Sequence, residues 1–280
     1  MSAARPRAVV HLDCDGIADI FRVHGWSRAA DDDALFDHGL PRALDFFEAE
    51  CVRATLFVIA GALDVPARRA RLREAVARGH EVASHSLTHR SLPALASKEK
   101  RREIVESRAR IAEALGVPVQ GFRAPNFALD RESFDLIGEA GYAYDSSRQA
   151  GRDDVLGHVA EGPHLLLGGG LLELPLPRLG LLPLPFHPSY SLVLGARHFR
   201  AGLARALHSG APLVTLFHLT DLADPLMAQD LPTLRARFFT LSFLSRAQKQ
   251  RRCARMLAAL REHFDLTDTA TLLASQGVYA

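Results

Sequence analysis

Short apolar runs, several of them rich in β-branched residues, alternate along the chain with longer stretches whose apolar positions recur every three or four residues. The short runs predict strands at 8–13, 54–59, 81–85, 121–123, 143–145, 171–174 and 213–217. The longer periodicity predicts helices at 41–50, 66–78, 98–115, 131–140, 196–208 and about 244–262. Repeated strand-then-helix units imply parallel strands joined by right-handed crossovers, hence a barrel or a doubly wound sheet. In either architecture, chemistry gathers at the C-terminal ends of the strands. Asp13, His85, Arg123, Asp145 and His218 all fall at or just past a predicted strand end, so five polar ends converge on one face. The segment 17–39, with Trp26 and the acidic run Asp31-Asp32-Asp33, breaks the pattern. It reads as a loop or short helix over the strand ends, more a solvated excursion than a substrate lid.

Composition narrows this picture. With 280 residues, 48% of them apolar, the chain can fill one large α/β core. No linker or repeat divides it, so 1–280 is expected to be one domain, with a motif-bearing core at about 8–220 and a C-terminal helix and strand within 240–280. The 34 basic and 32 acidic residues leave a formal charge of +2, which gives no case for a nucleic-acid partner. Arg68, Arg69, Arg71 and Arg73 read as the solvated face of a helix. Residues 1–7 do not resemble a signal peptide, and no run reaches the roughly 18 apolar residues of a membrane span. The richest stretch, 165–186, is cut by glycines, prolines, Glu173 and Arg178. The expectation is a soluble, cytoplasmic protein. Cys14, Cys51 and Cys253 are widely spaced, as reduced structural thiols would be.

The candidate chemistry starts from two pairs. On a strand, Asp13 and Asp15 point to one side and Cys14 to the other. Two such carboxylates repel unless a cation holds one and a group such as arginine steadies the other; a plain turn at Asp15-Gly16 explains the same residues. His85 and His89, four apart, would stack on one side of a helical turn and suit metal capture. A catalytic ion needs about three protein ligands and an open position, so three of these four side chains could hold it and the fourth could serve as base. His80-Glu81 imitates the start of a zinc-protease motif, but the second histidine would fall at Ser84, and His80 reads as part of a turn.

Asp13-Cys14-Asp15-Gly16, His85-Ser86-Leu87-Thr88-His89, Arg123-Ala124-Pro125-Asn126 and Leu216-Phe217-His218 together resemble the ordered motifs of the polysaccharide deacetylases, carbohydrate esterase family four. The resemblance extends over about 8–220, with weaker texture in Thr55-Leu56-Phe57-Val58 and from Gly141 to Ser147. It implies a distorted (β/α) barrel of about seven parallel strands. By position it implies Asp15, His85 and His89 as ligands of one divalent metal, Asp13 as base, Arg123 as the residue orienting that base, and His218 as general acid. The backbone N–H of Asn126 would be a second oxyanion donor. Asp145 is a loose counterpart of a missing tryptophan-bearing motif, either a substrate contact or a cap for the next segment. Zinc is the expected metal, although the same donors accept cobalt, nickel or iron.

Two departures bear on the substrate. Cys14 separates aspartates that are adjacent in commoner members, as in a subgroup that includes exopolysaccharide-associated deacetylases, lipid-linked amino-sugar deformylases and cyclic amide hydrolases. Asn126 stands where an aromatic residue is usual. The implied reaction is removal of an N-acetyl or other N-acyl group from an amino sugar of a glycan or lipid-linked glycan precursor. Hydrolysis of a cyclic amide or imide is the alternative, and a non-catalytic carbohydrate-binding barrel is the third reading. Residues 179–186 read either as core and loop or as an apolar surface for a polyprenyl-linked sugar, with peripheral membrane contact.

Overall fold

The computed structural model describes residues 5–27, 33–165, 171–179 and 184–276. Seven strands form its centre: β1 (Arg7–Asp13), β2 (Ala54–Val58), β3 (Glu81–Ser84), β4 (Gly121–Phe122), β5 (Tyr144–Asp145), β6 (Leu172–Glu173) and β7 (Leu213–His218). They pair in parallel in the order β7-β1-β2-β3-β4-β5-β6. The sheet curls into the expected distorted barrel but stays open between β6 and β7. Two more strands extend this sheet: the short strand His164–Leu165 pairs antiparallel with β6, and β8 (Asp265–Thr267) adds to the N-terminal end of β1 at Arg7–Val9.

Both faces of the sheet are buried, which is why its strands read as apolar runs and not as alternating ones. Ala8, Val10, Leu12 and Cys14 face outward into the layer beneath the helices. Val9, Phe57, Ala83, Tyr144, Leu172 and Leu216 fill the barrel. Gly121 is required where β4 meets β5, because a Cβ there would lie 2.1 Å from the Tyr144 ring. The C-terminal helix Thr269–Ser275 sends Leu272 and Leu273 into the inner cluster and so closes the barrel floor.

Helices at Pro66–Ala77, Arg131–Glu139, Ala196–Ser209 and Arg246–His263 lie close to their predicted positions. Three differences carry information. The helix predicted over 98–115 begins at Ser97 and is interrupted by a widened π-helical turn, Arg102–Glu106. The helix expected from Pro41 begins at Ala34 and carries Pro41 in its interior. Finally, the segment taken as a solvated excursion contains the helix Ile17–His24. Asp33 is only 5% exposed, and its Oδ1 accepts the backbone N–H groups of both Ile17 (2.9 Å) and Phe36 (3.1 Å). One carboxylate therefore caps two helix starts. It also explains Gly16, where a Cβ would meet Asp33 Oδ2 at 1.8 Å. Asp31 and Asp32, like 166–170 and 180–183 of the apolar 165–186 stretch, lie outside the described residues. Among the described residues, no helix is long and apolar enough to cross a membrane.

The barrel interior is not wholly apolar. Near the floor, Glu81 accepts hydrogen bonds from Thr55 Oγ1 (2.8 Å) and Tyr144 Oη (3.0 Å), and burial pushes its carboxyl up to about 6. A carboxyl whose folded pKa exceeds its unfolded value binds a proton more readily in the native state, so its contribution to stability is present at low pH and is lost as pH rises through about 6. Lowering the pH from 7 to 4.5 should therefore favour the wild type over Glu81→Gln by on the order of 1–2 kcal/mol in urea melts. Parallel profiles for the two proteins would contradict this account of Glu81.

Candidate active site

The ends of β1 and β3 deliver the first cluster. His85 Nε2 lies 3.3 Å and His89 Nε2 3.4 Å from Asp15 Oδ1. The donor atoms of Asp15, His85 and His89 all fall within 4.8 Å of one another. The Nδ1–H of His85 donates to the Arg123 carbonyl at 2.8 Å, which fixes the tautomer and leaves the Nε2 lone pair facing Asp15. His89 Nε2 and Asp15 Oδ1 are buried and, among the described residues, have no hydrogen-bond partner. Stranded buried acceptors are costly, and a cation among three convergent donors of this type removes the cost. The residues fit a divalent ion with two imidazoles and one carboxylate.

His89 does not arrive on a helical turn, as its spacing suggested. Residues 85–90 form a loop with Ser86 (φ 69°) and His89 (φ 57°) in the left-handed region. The buried carboxylate of Glu103, from the π-helical turn, holds this loop by accepting from Leu87 N (3.0 Å), Thr88 N (2.8 Å) and the Thr88 hydroxyl. Ser86 Oγ accepts from His89 N at 3.0 Å.

Electrostatics bind the cluster together. Burial disfavours the His85 imidazolium, but Asp13 and Asp15 outweigh it and raise the pKa to about 8. Burial would raise the Asp15 carboxyl, but His89 and His85 hold it well below the usual carboxylate range. For His89 burial prevails, and its pKa falls.

Asp13 sits beside this cluster in a different environment. Its Oδ1 accepts from Arg123 Nη1 at 2.6 Å, while its Oδ2 lies 4.0 Å from His85 Nε2 and 3.9 Å from His218 Nε2. Arg123 is fully buried and spends its donors on chosen partners: Nε on the Ser146 carbonyl (2.8 Å), Nη2 on Ser146 Oγ (2.7 Å) and His11 Nδ1 (2.8 Å). Its guanidinium carbon stands 3.9 Å from the centre of the Phe57 ring. His218, at the end of β7, pairs through Nδ1 with Ser189 Oγ (3.0 Å), and its backbone N–H donates to Asp221 Oδ2 (3.0 Å).

Asp15, His89, His218 and Asn126 line a cleft of about 560 Å³. Asn126 is exposed on its wall in a left-handed conformation (φ 56°). Asp145 is not in this cleft. Its neighbour Tyr144 points into the barrel, so Asp145 turns to the opposite face, where it accepts from Ser147 N (3.1 Å) and Ser147 Oγ (2.7 Å). Burial pushes its carboxyl up to about 6. Ser147 Oγ in turn accepts from Ala124 N at 2.8 Å, so Asp145 reaches the 123–126 loop only through Ser147. Sequence reasoning passed over His11 and Ser189, and it took in Phe57 and Ser146 only as family-like texture without a role. Strand alternation back from Asp13 could have found His11; nothing in the sequence marks Ser189.

The family model for polysaccharide deacetylases matches residues 31–144, a span that holds His85, His89 and Arg123 but not Asp13, Asp15 or His218. A chitooligosaccharide deacetylase of Sinorhizobium fredii is 34% identical over 143 residues, which are 46% of this chain and 65% of that protein. The chain thus spans less than two thirds of that relative. A Mycobacterium smegmatis protein assigned as a polysaccharide deacetylase superposes with a TM-score of 0.68 at 19% identity, covering 99% of this chain and 91% of its own. The Puue allantoinase superposes with a TM-score of 0.65 at 17% identity, covering 99% and 93%. At these identities the structural likeness is one of fold.

If Asp15, His85 and His89 hold a cation, zinc must stabilise the folded protein by mass action. Zinc should raise the melting temperature of the wild type but not of Asp15→Ala or His89→Ala. The rise should be larger at pH 8.5 than at pH 6.5, because the ion displaces the proton that His85 holds below about 8. Equal shifts in all three proteins would place the ion elsewhere.

Proposed function

We propose that the chain is a member of the polysaccharide deacetylase superfamily, as the family match over residues 31–144 and the similarity to a chitooligosaccharide deacetylase support, and that it hydrolyses the N-acyl amide of an amino sugar. The observation that carries this reading is the division of Asp13: one oxygen is locked by Arg123 at 2.6 Å and the other is left between His85 and His218. A carboxylate held in this way is suited to take a proton. A divalent cation on Asp15, His85 and His89, with zinc the best match to the donors, would supply Lewis acidity for the acyl carbonyl and for water.

In this scheme Asp13 Oδ2 accepts the proton of the attacking water as its oxygen bonds to the acyl carbon. His218 then gives a proton from Nε2 to the amide nitrogen as the C–N bond breaks, and a carboxylic acid and an amine leave. Ser189 on Nδ1 keeps that ring turned toward Asp13. Arg123 holds Asp13 in place and aims it through the 2.6 Å contact to Oδ1. The Asn126 N–H is the proposed second donor to the developing oxyanion, and Asp145 supports the 123–126 loop through Ser147.

The cleft supports an amphiphilic substrate. Among the described residues, the exposed large hydrophobics Val23, Tyr190, Val193, Leu194, Phe238 and Phe239 all line it, while Val65, Val155, Met227 and Leu234 lie elsewhere. Such a concentration of exposed apolar surface marks a binding site. We read it as the seat of an aliphatic chain, so that the substrate is a lipid-linked N-acyl amino sugar met at the cytoplasmic membrane surface.

One assay examines both parts of this reading. Amine release from the metal-loaded enzyme should be seen with methyl and octyl glycosides of N-acetylglucosamine, with KM about tenfold or more lower for the octyl compound, since each buried CH2 contributes about 0.8 kcal/mol. Phe239→Ser should shrink that preference. Asp13→Asn should cut kcat by roughly 10²- to 10⁴-fold while the metal stays bound. Equal KM values would remove the lipid-linked substrate alone. Hydrolysis of hydantoin-like rings with none of the N-acyl sugars would replace the proposal with the cyclic amide reading.

A further inference from the structure

The hydrogen bonds that hold Arg123 do not stop at His11. His11 Nε2 lies 3.2 Å from Thr269 Oγ1, and Thr269 Oγ1 lies 2.7 Å from Thr55 Oγ1. Thr55 Oγ1 donates to Glu81 Oε2 at 2.8 Å, and Tyr144 Oη donates to the other oxygen of Glu81 at 3.0 Å. A polar chain therefore runs through the buried barrel from Asp13 at its mouth to Glu81 near its floor.

Every direction along this chain is fixed by what the end groups can do. Arginine only donates, so His11 Nδ1 must be an acceptor. Burial, reinforced by the Arg123 charge, holds the His11 imidazole neutral, so its one proton sits on Nε2 and must point at Thr269. The Thr55 proton goes to Glu81, so the Thr269 proton goes to Thr55. Thr269 is thus both the acceptor that keeps the His11 proton on Nε2 and the donor that passes the order on. In the other tautomer, His11 would present an N–H to an Arg123 N–H.

We propose that Thr269 is a positioning residue for the catalytic base: it fixes the tautomer of His11, which fixes the Arg123 guanidinium, which aims Asp13. This rests on the reading of Asp13 as base given above. A purely local role does not account for the Thr269 hydroxyl. The residue opens the helix Thr269–Ser275, but that helix is capped by Asp268, whose Oδ1 accepts from Thr271 N at 2.7 Å. The Thr269 side chain is instead buried, 1% exposed, and turned into the barrel.

The test uses Thr269→Val, which keeps the shape and removes the hydroxyl, and Thr269→Ser, which restores it. In the metal-loaded full-length protein, Thr269→Val should lower kcat about tenfold, the effect of one lost hydrogen bond, with KM unchanged and metal content unchanged. Thr269→Ser should recover most of the loss. Nitrogen-15 NMR of the imidazoles should show His11 as the neutral Nε2–H tautomer in the wild type and as a mixture in Thr269→Val. The wild-type spectrum needs neither turnover nor a folded variant. A wild-type His11 that is Nδ1-protonated or charged would overturn the proposal, as would a Thr269→Val enzyme with normal kcat or a loss that Thr269→Ser does not repair. If the wild type hydrolyses no N-acyl sugar but His11 shows the expected tautomers, the functional reading fails and the hydrogen-bond order stands.

Discussion

The contact between Arg123 and Asp13 is the constraint around which this site is built. Taking a guanidinium and a carboxylate out of water costs several kcal/mol per ion, and the mutual attraction repays this only when the remaining donors and acceptors are also satisfied. Arg123 meets that condition, with bonds to Asp13, His11 and two atoms of Ser146, and with its flat face over Phe57. The partners come from β1, β2 and the turn after β5, so the pair forms only when the barrel has closed around it. Removing either charge would leave the other buried without its counter-charge.

The same residue links two functions through two different groups. Its side chain holds Asp13, the proposed base, and its carbonyl accepts from His85 Nδ1, setting the ring that faces Asp15. Asp13 and the Asp15–His85–His89 cluster therefore depend on one backbone position at the end of β4. The surrounding supports follow the same logic of borrowed rigidity. A π-helical turn offers Glu103 to the His85–His89 loop, and Asp33 returns from a distant helix to cap the turn that follows Asp15.

Much of this was legible because parallel strands buried on both faces announce themselves as apolar runs, and their C-terminal ends were marked by Asp13, His85, Arg123 and His218. What was not legible had physical reasons. Four-residue spacing fits a helical turn, yet it also fits a loop with two left-handed residues, and only Glu103 and Ser86 decide between them. Pro41 looked like a first-turn proline, but the helix starts seven residues earlier at Ala34, where Asp33 Oδ1 accepts from Phe36 N. Asp145 sat at a strand end as anticipated, but the parity of Tyr144-Asp145-Ser146 turns it away from the cleft and turns Ser146 toward Arg123. Ser189 and the apolar cleft walls are brought in by chain segments without a local signature.

The central claim is the division of labour between two aspartates separated by a single residue. It is tested most directly by anomalous diffraction from crystals grown with zinc. The account predicts one ion bound by Asp15, His85 Nε2 and His89 Nε2, with Asp13 still on Arg123 and not coordinating. An ion that takes Asp13 as a ligand, or one bound away from these three side chains, would contradict it.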